Sequence, residues 1–157
     1  MNDIAREFWS RIEAAEQKLS SISEEASRKP YRADGWLRKE LLGHLVDSAC
    51  VNHVRFAFAA TNGAYEGPSY GQSAWVTLHG YAQVPWAAIL DQWRARNTWI
   101  AELITNIPSE RLSAICKIGD NPPMRLDELI RDYLDHLENH VEQMSFVPAT
   151  AQRVTGT

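Results

Sequence analysis

The chain has 157 residues, 45% of them hydrophobic and 23% charged, with a formal net charge of −4. That length suits one domain able to bury a core, and the acidic balance argues against nucleic-acid binding, which draws on a basic surface. No apolar run has membrane-spanning length, the amino terminus lacks a signal-peptide core, and Cys50 and Cys116 fit no metal-ribbon or redox spacing, so a cytoplasmic protein without membrane contact is expected.

The first predicted helix covers about residues 2 to 27. Ile4, Phe8, Ile12, Ala15, Leu19 and Ile22 fall on one face, and Asn2 or Asp3 can cap its start. Pro30 and Gly35 end it. A second helix is expected from about Trp36 to Thr61, with Asp34 as its cap and Leu37, Leu41, Leu45, Ala49, Phe56 and Ala59 as its apolar side. His44 stands at the margin of that side. Ser48 and Arg55 project within about 40° of His44, Asp47 is turned the other way, and His53 points roughly opposite.

Residues 62–83 form a connection too long to be idle. It holds one or two helical turns over Gln72–His79 and is expected to cover one mouth of the fold. The third helix runs from about Pro85 to Ile107, with Trp86, Ile89, Leu90, Trp93, Ile100 and Ile104 on its buried stripe. Asn97 falls in the middle of that stripe, either as a structural hydrogen-bonder or as part of a polar site. A second connection, residues 108–124, carries the turn Gly119–Pro123. The fourth helix is expected over about Leu126 to Phe146, and residues 148–157 as a flexible tail. Four such helices predict an all-α four-helix bundle, antiparallel, in a single domain over 1–147 with a long crossover between helices 2 and 3.

His136 and His140 are i and i+4 on the fourth helix, so their rings leave one face, beside Leu129, Tyr133 and Met144. Two imidazoles on a buried face either pack against hydrogen-bond partners or share a metal ion. If the second and fourth helices face each other, His44 can join them in a three-histidine site with open positions. Zinc, nickel and ferrous iron all accept imidazole.

The run Gly35–Ser48 with Asn52–Phe56, the connection Tyr65–Val76, Trp93–Asn97, and Asp132–His136 with His140 together resemble the signatures of the DinB/YfiT-like superfamily in order and spacing. The resemblance covers residues 30 to 146. It departs from the pattern at Leu37 and Arg125, where a capping Ser or Thr is common, and at Gly71, where an acidic residue is common. The resemblance implies a four-helix bundle that binds a divalent metal through His44, His136 and His140. It also implies either a hydrolase or a transferase of a low-molecular-weight thiol, in a superfamily named for a stress response.

Such an ion acidifies bound water or a bound thiol. Asp47 is then a candidate proton acceptor, and Asn52, Arg55 and Asn97 are candidates to orient a small anionic or amide-bearing substrate above the metal. For Asp47 the competing account is a solvated surface acid, and for Arg55 a salt bridge across the bundle. A non-catalytic binding module and a helical interaction protein whose histidines merely pack remain the alternatives, and exposed Trp and Tyr leave a homodimer open.

Overall fold

The structure is a computed structural model and describes residues 1–145. The expected tail, 148–157, lies outside the described residues. Helix α1 spans Asp3–Ser20, α2 Glu24–Ser27, α3 Arg38–Asn62, α4 Gln72–His79, α5 Trp86–Thr105 and α6 Leu126–Ser145. Strands β1 (Ala64–Gly67), β2 (Ile115–Ile118) and β3 (Met124–Arg125) lie in the two long connections.

The expected first helix is two. Asn2 caps α1 by accepting from the Ala5 N–H at 2.8 Å, and Ser23 restarts the chain as α2 by accepting from Ala26 at 3.1 Å. A serine oxygen that captures a backbone N–H competes with helix continuation, which is why the pattern breaks there. Asp34 does not cap α3. It sits at φ 59° in the preceding turn, and the helix opens at Leu37, whose N–H is taken by the Glu40 carboxylate at 2.9 Å. That is one half of a capping box, and it suffices where the usual Ser or Thr is replaced by leucine.

The four long helices pack in the cyclic order α1, α5, α3, α6. Side-chain contacts give their directions. Glu7 with Arg131, Arg11 with Glu138 and Lys18 with Glu142 ascend together, so α1 and α6 are parallel. Asn2 donates to the Ile104 carbonyl at the far end of α5, so α1 and α5 are antiparallel. Arg38 at the start of α3 donates to the Met144 carbonyl near the end of α6, so that pair is antiparallel too. Finally α3 and α5 start together, where Lys39 Nζ donates to the Val84 carbonyl at 2.7 Å. The bundle is therefore antiparallel in only two of its four neighbouring pairs. Parallel neighbours need a return path, and residues 63–85 supply it.

That return path is built. β1 pairs in parallel with β2, and β2 antiparallel with β3, so one small sheet ties the outgoing ends of α3 and α5 to the start of α6. Short strands in connections of mixed polarity carry no alternating pattern long enough to read, which is why the sheet escapes sequence analysis. After α4 the chain passes directly over α3, where the Tyr81 ring lies against Gly43. A Cβ built there would stand 2.1 Å from Tyr81 Cδ2. Gly63 ends α3 at φ 80°, in the left-handed region that glycine enters without strain.

Because α5, α6 and this strap surround α3, residues 41–49 are all buried. Trp93, Phe8, Phe56 and Leu134 fill the space between the four helices. Gly43→Ala should lower unfolding stability by about 1–3 kcal/mol through overpacking against Tyr81. In a Tyr81→Ala background the same change should instead raise it by up to about 1 kcal/mol, the helix-propensity gain. Urea unfolding of the four proteins checks the reversal of sign.

Candidate metal centre

Seating α3 antiparallel on α6 brings three imidazoles together. His136 Nε2 lies 3.2 Å from His44 Nε2 and 3.1 Å from His140 Nε2, and the three ring nitrogens are all within 4.8 Å of one another. His44 is 1% exposed. Trp36 leans over its ring with centroids 5.4 Å apart.

Protons alone do not satisfy this trio. His140 Nδ1 lies 2.7 Å from Gln143 Oε1 and donates to it, which leaves a lone pair on His140 Nε2. His136 Nε2 then has at most one hydrogen for two neighbours. His44 Nδ1 is buried without a partner. A shared cation fits better: three nitrogens each about 2.1 Å from one ion stand roughly 3.0 to 3.4 Å apart, according to whether the angles are octahedral or tetrahedral.

The electrostatics agree with that fit. Burial, and then the neighbouring imidazoles, push His44 down to about 3. Burial and then His140 push His136 down to about 4. His140 is lowered mainly by burial, with Arg32 acting the same way and Gln143 opposing. Near neutral pH all three rings are uncharged and can offer lone pairs.

Beside His136 opens a cavity of about 220 Å³, walled by Ser48, Asn52, Arg55, Tyr70 and Tyr133 among others. Ser48 and Arg55 follow His44 at i+4 and i+11, about 40° and 20° round the helix, so helical phase places them on its side, and Asn52 at i+8 stands about 80° round on the same flank. Asn52 donates to the Ser48 carbonyl at 2.9 Å. Arg55 is 7% exposed, and its Nη2 donates to the Pro68 carbonyl at 3.0 Å. The salt bridge that competed as its explanation is absent among the described residues.

Two candidates stand elsewhere. Asp47 is buried and faces the strap, where its Oδ1 accepts from Tyr81 Oη at 2.7 Å and from His79 Nδ1 at 2.9 Å. Burial raises its carboxyl, and Tyr81 and His79 oppose that. It is not a solvated surface acid, nor does it bond to any of the three histidines or line the cavity. Three residues turn a helix by about 300°, which sets Asp47 about 60° from His44 on the flank away from Ser48 and Arg55, the flank that the strap covers. Asn97 is fully buried, donates to the Trp93 carbonyl at 2.9 Å and accepts from Tyr133 Oη at 2.6 Å. It is a structural hydrogen-bonder that reaches the cavity only through Tyr133. Asp132 lines the cavity yet makes no hydrogen bond to His136.

Sequence reading missed Trp36, Tyr70 and Gln143. Gln143 is i+3 from His140 and was findable on a helical wheel. Tyr70 was not, since its place depends on the path of the crossover.

Residues 6–144 match the model of the DinB superfamily. A protein of Halalkalibacterium halodurans named "Putative metal-dependent hydrolase BH0277" is 25% identical over 121 residues, 77% of this chain and 70% of that one. Among solved structures, YfiT from Bacillus subtilis is called a probable metal-dependent hydrolase with an unusual four-helix bundle topology. It superposes with a TM-score of 0.81 at 17% identity, over 92% of this chain and 86% of its own. A mycothiol-dependent maleylpyruvate isomerase superposes with a TM-score of 0.73 at 13% identity, and this chain spans 59% of it.

Tyr133→Phe should cost about 1–3 kcal/mol, because it strands the buried Asn97 oxygen. Asn97→Ala should cost less in that background than in the wild type, since the Tyr133–Asn97 bond can be lost only once. A urea-denaturation cycle over the four proteins measures the coupling.

Proposed function

The chain belongs to the DinB superfamily, and from that premise we propose that it is an enzyme that uses a divalent metal to hydrolyse a small substrate held in the cavity beside His136. The observation that carries this reading is the convergence of three uncharged imidazole nitrogens, at spacings one ion can bridge, on the wall of a cavity. The names of the Halalkalibacterium relative and of YfiT support it.

His44, His136 and His140 would hold the ion. When bound, a divalent ion supplies Lewis-acid polarisation and an acidified nucleophile. The protein supplies the rest. Gln143 fixes the His140 tautomer so that the Nε2 lone pair faces inward. Trp36 shields the His44 ring. Asn97 holds the Tyr133 hydroxyl and so sets one wall of the cavity. Asn52 and Arg55 present polar groups to whatever enters from the side of Tyr70.

Asp47 is given an anchoring role here. By accepting from Tyr81 and His79 it holds the strap against the turn of α3 that carries His44. A second reading, transfer of a low-molecular-weight thiol, is supported by the fold shared with the mycothiol-dependent isomerase, and it needs the same three ligands.

Chain purified without a histidine tag should carry close to one divalent ion per molecule by elemental analysis. His136→Ala should weaken metal affinity by more than about 100-fold, since even the partners that orient ligands are worth 10–100-fold. Ester and amide hydrolysis should fall with metal content and recover on reloading the wild type. Turnover confined to thiol–electrophile pairs would favour the second reading, and substoichiometric metal unaffected by His136→Ala would sink both.

A further inference from the structure

We propose that the substrate carries a carboxylate and that Arg55 is the group that holds it. The inference deepens the preceding reading by naming the substrate class, and it rests on that reading only for the chemistry at the histidines.

Arg55 is 7% exposed and lines the cavity. Among the described residues its hydrogen bond is from Nη2 to the neutral Pro68 carbonyl, and its Nε is buried without a partner. Among the described residues no carboxylate lies within ion-pairing distance of it. A guanidinium taken out of water without a counter-ion is costly, and removing half of a buried ion pair is among the more destabilising changes a protein undergoes. Arg55 is left in that state by the fold itself. Ser48, Asn52, Tyr70 and Tyr133, which line the cavity with it, are uncharged polar side chains and cannot neutralise it.

One carboxylate does line the cavity, that of Asp132. It is exposed, so water and salt screen it, whereas the arginine is screened little. The buried cation therefore dominates the potential that an entering ligand meets. A planar fork of N–H donors matches a carboxylate better than any other small anion-bearing group of metabolic substrates except phosphate. Arg55 is the one Arg or Lys lining the cavity among the described residues, so it neutralises a singly charged carboxylate where a phosphate dianion would keep a charge.

The test is a titration of the full chain with benzoate and succinate, each against its neutral amide, followed by NMR or calorimetry. Wild type should prefer both carboxylates. Arg55→Gln should weaken carboxylate binding by about tenfold or more while the amides bind unchanged. His136→Ala should keep the preference, because the anchor is the arginine. A preference lost in His136→Ala and kept in Arg55→Gln would overturn the proposal and leave the metal reading intact. Loss of the preference in Arg55→Gln, in protein that holds no metal, would do the reverse. Equal binding of acids and amides by wild type, or binding of neither, would also overturn it. Should Arg55→Gln fail to fold, a crystal structure of wild type with benzoate decides: the carboxylate belongs against the guanidinium, and any other seat refutes the assignment.

Discussion

Everything at the candidate centre depends on α3 lying antiparallel against α6. The Arg38 guanidinium fixes that pairing at one end, bonding the Met144, Pro30 and Lys29 carbonyls, so that the last turn of α6 and the entry to α3 are drawn together. His44 is then held level with the face of α6 that carries His136 and His140. A one-residue slide of α6 along α3 would shift its side chains by about 1.5 Å and rotate them by about 100°. Either displacement would break nitrogen spacings of 3.1 and 3.2 Å. The three rings therefore report on register as much as on chemistry.

The same crowding that buries His44 explains how the rest of α3 is used. A helix covered on one side can sort its residues into an apolar stripe and a wet face. Over residues 41–49 α3 has no wet face, so its polar residues each need an internal partner. Asp47 finds Tyr81 and His79. Lys39 finds Glu24 and the Val84 carbonyl. Glu24 in turn accepts from the Trp86 N–H, so a four-residue helix ties the starts of α3 and α5 together. His44 Nδ1 and Arg55 Nε are left without a partner beside the three-histidine group and its cavity, as are Asp47 Oδ2 and the Trp86 and Trp93 indole nitrogens away from the cavity wall.

How legible was this in the sequence? The four long helices and their apolar faces were, because burial on one side stamps a 3.6-residue period on the chain. So was the histidine set, because i, i+4 spacing on α6 is a local fact and the third ligand needed only that α3 and α6 be neighbours. Arg55 came from helical phase in the same way. Helix direction was not legible. Parallel packing of α3 with α5 depends on where the crossover returns, and periodicity carries no information about that. Asp47 shows a subtler limit: about 60° round from His44 it falls beyond the margin of the apolar side, where solvent is expected on a helix covered on one side, and here that flank is a second interior. Leu37 shows the reverse case, where a missing cap residue suggested a doubtful helix start and the Glu40 half of the cap made it good.

The division of labour between helices and crossovers has a chemical consequence. The three imidazoles stand on α3 and α6, whose positions are set by core packing and by Arg38. The cavity beside them is closed by Tyr70 and Gln72 from one connection and by Cys116, Ile118, Asn121 and Pro122 from the other. Those two segments are held to each other by the β1–β2 ladder and by the Gly119 N–H, which donates to the Gly67 carbonyl at 2.8 Å. They touch the bundle mainly at its end. Residues 64–72 and 115–124 thus shape a cavity wall that carries no ring nitrogen, while Cys116 and Ile118 also join the core between the helices. The three rings and one wall of the cavity thus come from separate parts of the chain, joined at Arg55, which stands on the helix of His44 and donates to the loop at Pro68.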